Sequence, residues 1–256
     1  MKKVLFLMFV STWALTQTAC KKESTSTSNN SGGGAKTCLL DSVDGGKVTW
    51  DASNRATQLT TPEGTVINLT YNGNKVNYAI DSDSLDFAVE VTLNGSNYPS
   101  TAKANFTIQG FPGTLTMDYT YNAEGQVIRQ KQTLSVLVIN QVTITDFEYA
   151  NGNMVKSTSY SEDEPEAKTI TEYTYYTDKT DSRNASLSKI YVQGLGIAGA
   201  GSKNLLKKSI ETAPDADPVT TNFTYTFDAD GKVLSEIATD EDSGEQSIAT
   251  YSYICK

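Results

Sequence analysis

The stretch Leu115-Thr-Met-Asp-Tyr-Thr-Tyr-Asn-Ala-Glu-Gly-Gln-Val127 decides the fold. Leu115, Met117, Tyr119 and Tyr121 fall at every second position, with Thr116, Asp118 and Thr120 between them. That alternation gives a strand one apolar and one wet face, as in antiparallel sheet. Asn122 to Gly125 follows at once, and a glycine there supplies the positive φ that a tight hairpin requires. Phe223 to Phe227 does the same, its aromatic face opposing Thr224 and Thr226, before Asp228-Ala-Asp-Gly231-Lys232.

Working outward, the motif recurs. Trp50-Asp-Ala-Ser-Asn54-Arg55, Tyr71-Asn-Gly-Asn-Lys75, Leu93-Asn-Gly-Ser-Asn97 and Tyr149-Ala-Asn-Gly-Asn153 belong to it, and Tyr175-Tyr-Thr-Asp-Lys179 is a degenerate member. Seven tips imply about fourteen strands, more than a twisted open sheet carries without curling or closing. Helix signals are nearly absent. The sequence predicts an all-β chain, an antiparallel meander of repeated hairpins forming a strongly curled sheet or a closed soluble barrel. Thr-rich outer faces and an end at Ile254-Cys255-Lys256 argue against a membrane-spanning barrel, which usually ends in an aromatic residue.

The N-terminal residues carry an address. Lys2 and Lys3 precede a compact apolar stretch, Val4 to Leu15, with small residues at Thr16, Thr18 and Ala19. This is the layout of an export signal over residues 1–19, too short for a spanning helix. Ala19-Cys20 resembles the cleavage site of bacterial lipoproteins, with Gln17 where Leu is usual. Cys20 is therefore the expected lipidation site, and the membrane a partner through that anchor. Lys21 to Lys36 is rich in Ser, Thr, Asn and Gly, so residues 20–37 read as a flexible tether. Residues 38–256 form one hairpin-repeat domain. Lys21-Lys22-Glu23 resembles the start that marks some lipoproteins for the outer surface. The expected place is the cell envelope, lipid-anchored at the outer membrane, facing the periplasm or the outside.

The leader takes two lysines and no acid with it, leaving 19 basic residues against 30 acidic ones, a net charge of −11. So acidic a domain has no footprint for nucleic acid. The acids gather in loops such as Glu162 to Glu166 and Asp240-Glu241-Asp242, as calcium ligands or as solvated turns. None has the twelve-residue spacing of an EF-hand, and the sequence predicts no metal. With Cys20 acylated, Cys38 and Cys255 remain at the two ends of the domain. In an oxidising compartment they read as a disulfide joining first and last strands, the alternative being two unrelated buried thiols.

Tyr119-Thr-Tyr-Asn-Ala-Glu-Gly-Gln-Val127 and Phe223-Thr-Tyr-Thr-Phe-Asp-Ala-Asp-Gly-Lys-Val233 resemble the Tyr-Asp repeat of Rhs-type proteins. With the leader and Gly201-Ser-Lys-Asn-Leu205, the chain resembles an uncharacterised bacterial lipoprotein family with a porin-like fold. The resemblance covers about residues 38–256. It implies architecture and carries over no catalytic residue.

The chain has no histidine, which excludes Ser-His-Asp and Cys-His nucleophiles and a His base. Gly194-Leu-Gly196-Ile-Ala-Gly199 fits the dinucleotide fingerprint, but that motif needs a βαβ unit and this chain is hairpins throughout, so no cofactor is expected. The sequence therefore points to a non-catalytic binding or scaffold module for a glycan, lipid or protein ligand. The alternative is a carboxylate-dependent, glycoside-type hydrolase. Leu187 to Ala213 breaks the hairpin rhythm with seven large aliphatic residues, costly to leave in water. It is expected to fold back as a plug or lid, or else to be a strand pair with a long apolar turn. Lys203, Lys207 and Lys208 would then form the rim of a candidate ligand site.

Overall fold

The computed structural model describes residues 38–81, 87–108, 110–187, 190 and 201–255. The leader, Cys20, the tether and Gly194–Gly199 lie outside the described residues. The first half of the wall comprises β1 (Cys38–Val43), β2 (Gly46–Trp50), β3 (Ala56–Thr60), β4 (Val66–Asn72), β5 (Lys75–Asp81), β6 (Phe87–Leu93), β7 (Pro99–Ile108) and β8 (Phe111–Tyr121). The second comprises β9 (Val127–Val136), β10 (Ile139–Ala150), β11 (Asn153–Ser161), β12 (Glu164–Thr180), β13 (Asn204–Thr212), β14 (Val219–Phe227), β15 (Val233–Asp240) and β16 (Gln246–Cys255). A single helical turn, α1 (Asn184–Leu187), lies between β12 and β13. Every strand pairs antiparallel with its sequence neighbours, and β1 pairs with β16 to close the barrel. No helix among the described residues is long and apolar enough to cross a membrane.

The repeat explains the meander. At four even-to-odd tips the side chain of an Asx residue accepts the backbone N–H groups two and four residues on: Asp51 from Ser53 and Arg55, Asn94 from Ser96 and Tyr98, Asn122 from Glu124 and Gln126, Asp228 from Asp230 and Lys232. Three residues on, Asn54, Asn97, Gly125 and Gly231 take the positive φ that closes each loop. The aromatic residues before the tips turn inward and tie each strand to the one before it. Trp50 Nε1 donates to the Leu40 carbonyl at 2.7 Å, Tyr71 to Ala56 at 2.8 Å and Tyr121 to Pro99 at 2.7 Å. Tyr225 and Tyr253 do the same to Leu206 and Val233.

One expected tip does not turn. Tyr175-Tyr-Thr-Asp-Lys179 lies within β12, which runs on to Thr180, and the long 181–203 connection follows. The wall therefore has sixteen strands. The fourteen implied by seven tips omit β1 and β16, the closing pair. Even-to-odd connections, the described residues of the 181–203 segment and both cysteines share one end of the barrel, called here the cysteine end. Odd-to-even connections share the far end.

Inward residues of β1–β8 make most of the core, among them Leu40, Val48, Leu69, Val76, Tyr78, Val89, Val91, Ala102, Ala104 and Tyr119, and Val127, Phe147, Met154, Tyr173 and Leu206 of β9–β13 join them. In β10–β12 the inward row toward the far end turns to hydroxyls at Thr143, Thr145, Ser157, Ser159, Thr169 and Thr171. The outer wall carries cross-strand ion pairs, Lys75–Glu90, Arg129–Asp146, Lys131–Glu162 and Lys156–Glu148. Along their strands the outward Ile144, Ile170 and Ile210 alternate with Asp146, Glu172 and Lys208.

Burial of the inward tyrosines has a pH consequence. It pushes Tyr71 and Tyr253 up to about 12, and raises Tyr121, Tyr149, Tyr175 and Tyr225 further. An unfolded tyrosine ionises near 10. The unfolded chain therefore sheds protons first as pH rises, and stability present below about pH 10 is lost through about pH 12. Phenolate absorbance should appear together with loss of the β-sheet circular dichroism signal. Ionisation of the full complement of tyrosines at pH 10 in a folded barrel would contradict this.

Candidate functional site

The most densely partnered polar cluster among the described residues lies inside the cysteine end, where the 181–203 connection enters. Arg183 is 3% exposed and Asp181 8%. Arg183 Nε and Nη2 donate to the two Asp181 carboxylate oxygens at 2.9 and 2.7 Å. Its Nη1 donates to Glu236 Oε2 at 2.8 Å and to the Tyr251 hydroxyl at 2.9 Å. The guanidinium also stacks over the Tyr225 and Tyr251 rings, 5.6 and 4.9 Å from their centroids. Burial opposes a charge on Arg183, but the facing Asp181, Tyr251 and Glu236 hold it protonated, well above its ordinary range. The planar fork of arginine suits this bidentate geometry.

The helical turn behind Arg183 is fixed to the wall. Ser186 Oγ accepts the Leu40 backbone N–H at 3.0 Å, and Leu187 and Ile190 are buried in the core. On the return side Ser202 Oγ accepts from Met154 N at 3.1 Å and donates to Tyr175 Oη at 2.7 Å, while Asn153 pairs with Asn204. The described part of the 181–203 connection thus fills the barrel mouth from inside. The expectation of a fold-back holds for Leu187 and Ile190, whereas Leu205 and Leu206 belong to β13; residues 191–200 lie outside the described residues. A small hollow remains, lined by Tyr175, Asp181, Arg183, Asn184, Ser202, Asn204 and Leu206.

The residues expected from sequence separate into several places. Cys38 and Cys255 are disulfide-bonded in direct register across β1 and β16, Cα atoms 4.0 Å apart. Lys203 is exposed where the connection meets β13, its backbone N–H donating to Gly152. Lys207 Nζ lies 5.9 Å from the Tyr176 ring, beside Lys179, which sits between Tyr176 and Phe227. Lys208 faces outward, 3.5 Å from Glu241. The three lysines thus have three different surroundings. The acidic loops bring no three metal-ligating groups together among the described residues. Arg183 was not legible as a site residue, because its partners Glu236 and Tyr251 lie 53 and 68 residues away in sequence.

A family described as an MBG domain matches residues 47–111, from β2 to the start of β8. No curated protein matches the chain. Among solved structures, a porin-like protein from Bacteroides vulgatus has a TM-score of 0.61 at 10% identity, over 84% of this chain and 99% of that one. A porin-like protein from Bacteroides uniformis has a TM-score of 0.56 at 15% identity, over 82% of this chain and 90% of that one. At such identities the likeness is one of fold, and it supports the porin-like architecture implied by the sequence resemblance.

Proposed function

We propose that the protein is a non-catalytic lipoprotein of the bacterial cell envelope, held at the outer membrane by an acylated Cys20, whose barrel is a binding or scaffold module. The observation that carries this reading is the occupied interior. Apolar side chains fill the β1–β8 side, and the ion-paired turn at Arg183 fills the mouth at the cysteine end. Function is then left to the rims and the outer wall, where a glycan, lipid or protein ligand would meet the barrel. A carboxylate-dependent hydrolase has less support, because Asp181 and Glu236, the two acids inside the mouth, are both held by Arg183.

The barrel geometry gives the tether a direction. Residues 20–37 join the wall at Cys38, so the cysteine end faces the membrane at an r.m.s. tether reach of roughly 23 Å. Mature protein is expected to partition into detergent with a diacylglycerol-sized mass on its N-terminal peptide. Fully processed Cys20→Ala protein that still fractionates with membranes would remove the anchor from the proposal.

A further inference from the structure

We infer that the far end of the barrel docks a protein partner, through an apolar knob at the β9–β10 and β7–β8 tips that enters a groove rimmed by Lys and Arg. Val138 is 99% exposed, Leu137 65%, Ile139 60% and Phe111 48%. Gly113 pairs with Val136 across β8 and β9 and Val136 with Ile139 across β9 and β10, so the two tips are neighbours and place these four residues on one stretch of the rim. Soluble proteins rarely leave adjacent aliphatic residues so bare without a use for them.

Backbone conformation points the same way independently. Among the described residues, six that are not glycine have positive φ: Asp44, Asn54, Asn97, Leu137, Asn151 and Asp215. Five are Asn or Asp, which tolerate that region because their short side chains bond locally. Leu137, at φ 55°, is the exception. Every other such position obeys turn chemistry, and this one sets it aside for an apolar side chain that touches water. The stability of the turn has been traded for a surface.

Charge chooses between a protein and a lipid surface. Around the same rim stand Glu162, Asp163, Glu164 and Glu166 on the next tip, then Asp215 and Asp217, then Glu241, Asp242 and Glu245, all exposed. Two of these acids have a basic partner, Glu162 with Lys131 at 3.0 Å and Glu241 with Lys208 at 3.5 Å. An acidic collar repels an anionic bilayer and suits a cationic groove. The far end also lies opposite Cys38. The partner gives the binding-module reading a surface and a chemistry, yet the tips stand as described whether or not Cys20 is acylated.

The test replaces Val138, and separately Phe111, with p-benzoylphenylalanine in the full chain, expressed in its own bacterium and irradiated in living cells. Lys75, at the opposite end, is the control position. The expected result is one discrete protein adduct from positions 138 and 111 and none from 75. Its yield should fall about tenfold with Ile139→Thr and with the triple change Glu162→Lys, Glu164→Lys, Glu166→Lys. Leu137→Gly should melt no lower than the parent while losing the adduct. Adducts only to lipid, only to a second copy of this chain, none at all, or a yield indifferent to these changes would overturn the proposal. So would a lower melting temperature for Leu137→Gly, since the leucine would then serve the fold. The anchor is tested by membrane fractionation of Cys20→Ala, so the two readings fail separately.

Discussion

Barrel protein with Cys38→Ser and Cys255→Ser is expected to lose about 5 kcal/mol of stability, because the bond closes a very long loop in the unfolded chain. The two cysteines are 217 residues apart, and their strands are the first and last of the wall. At this size the loss corresponds to a fall of about 10–20 °C in melting temperature. Without the bond, the β1–β16 seam rests on five paired positions interrupted by a bulge between Leu40 and Ser42. It is also the one neighbouring strand pair of the wall that no chain connection joins. Scanning calorimetry of the variant, and of the parent with and without reductant, measures the effect. A shift below about 3 °C would mean that the seam is held as well without the bond.

Arg183→Met should cost about 3–5 kcal/mol at neutral pH, since it leaves Asp181 and Glu236 charged inside the barrel with no partner. The triple variant Arg183→Met, Asp181→Asn, Glu236→Gln should recover most of the lost stability, because no charge then stays buried. Denaturant melts of the single and triple variants at neutral pH decide it. An Arg183→Met protein as stable as the parent at neutral pH would show that water reaches these acids freely.

Most of the wall was legible because each hairpin announces itself locally. Period-two alternation gives the inward face, and an Asx residue followed by Gly or Asn gives the turn, within a dozen residues of each other. The closing pair was legible for a different reason: cysteines at both ends of a domain have few other partners. The Tyr175 motif misled because it has the aromatic residue and the Asp but no Gly or Asn to take a positive φ, and β12 simply continues. What the sequence concealed was long-range electrostatics. Asp181 and Arg183 stand two residues apart, but nothing local says that their segment turns inward to meet Glu236 and Tyr251. Nor could alternation reveal that Leu137 sits where the other turns place Asn, Asp or Gly, since backbone angles are set by how the flanking strands pair.

The bond between Cys38 and Cys255 has a topological consequence as well as an energetic one. With it, the backbone from residue 38 to residue 255 is a covalent ring, and each hairpin tip is an arc of that ring. A protease that cuts one tip opens the ring into a line and releases no fragment. Both new ends stay in strands that are still hydrogen-bonded to their neighbours. Only a second cut can liberate a piece of the wall, so the barrel should survive a single nick at any of its exposed tips.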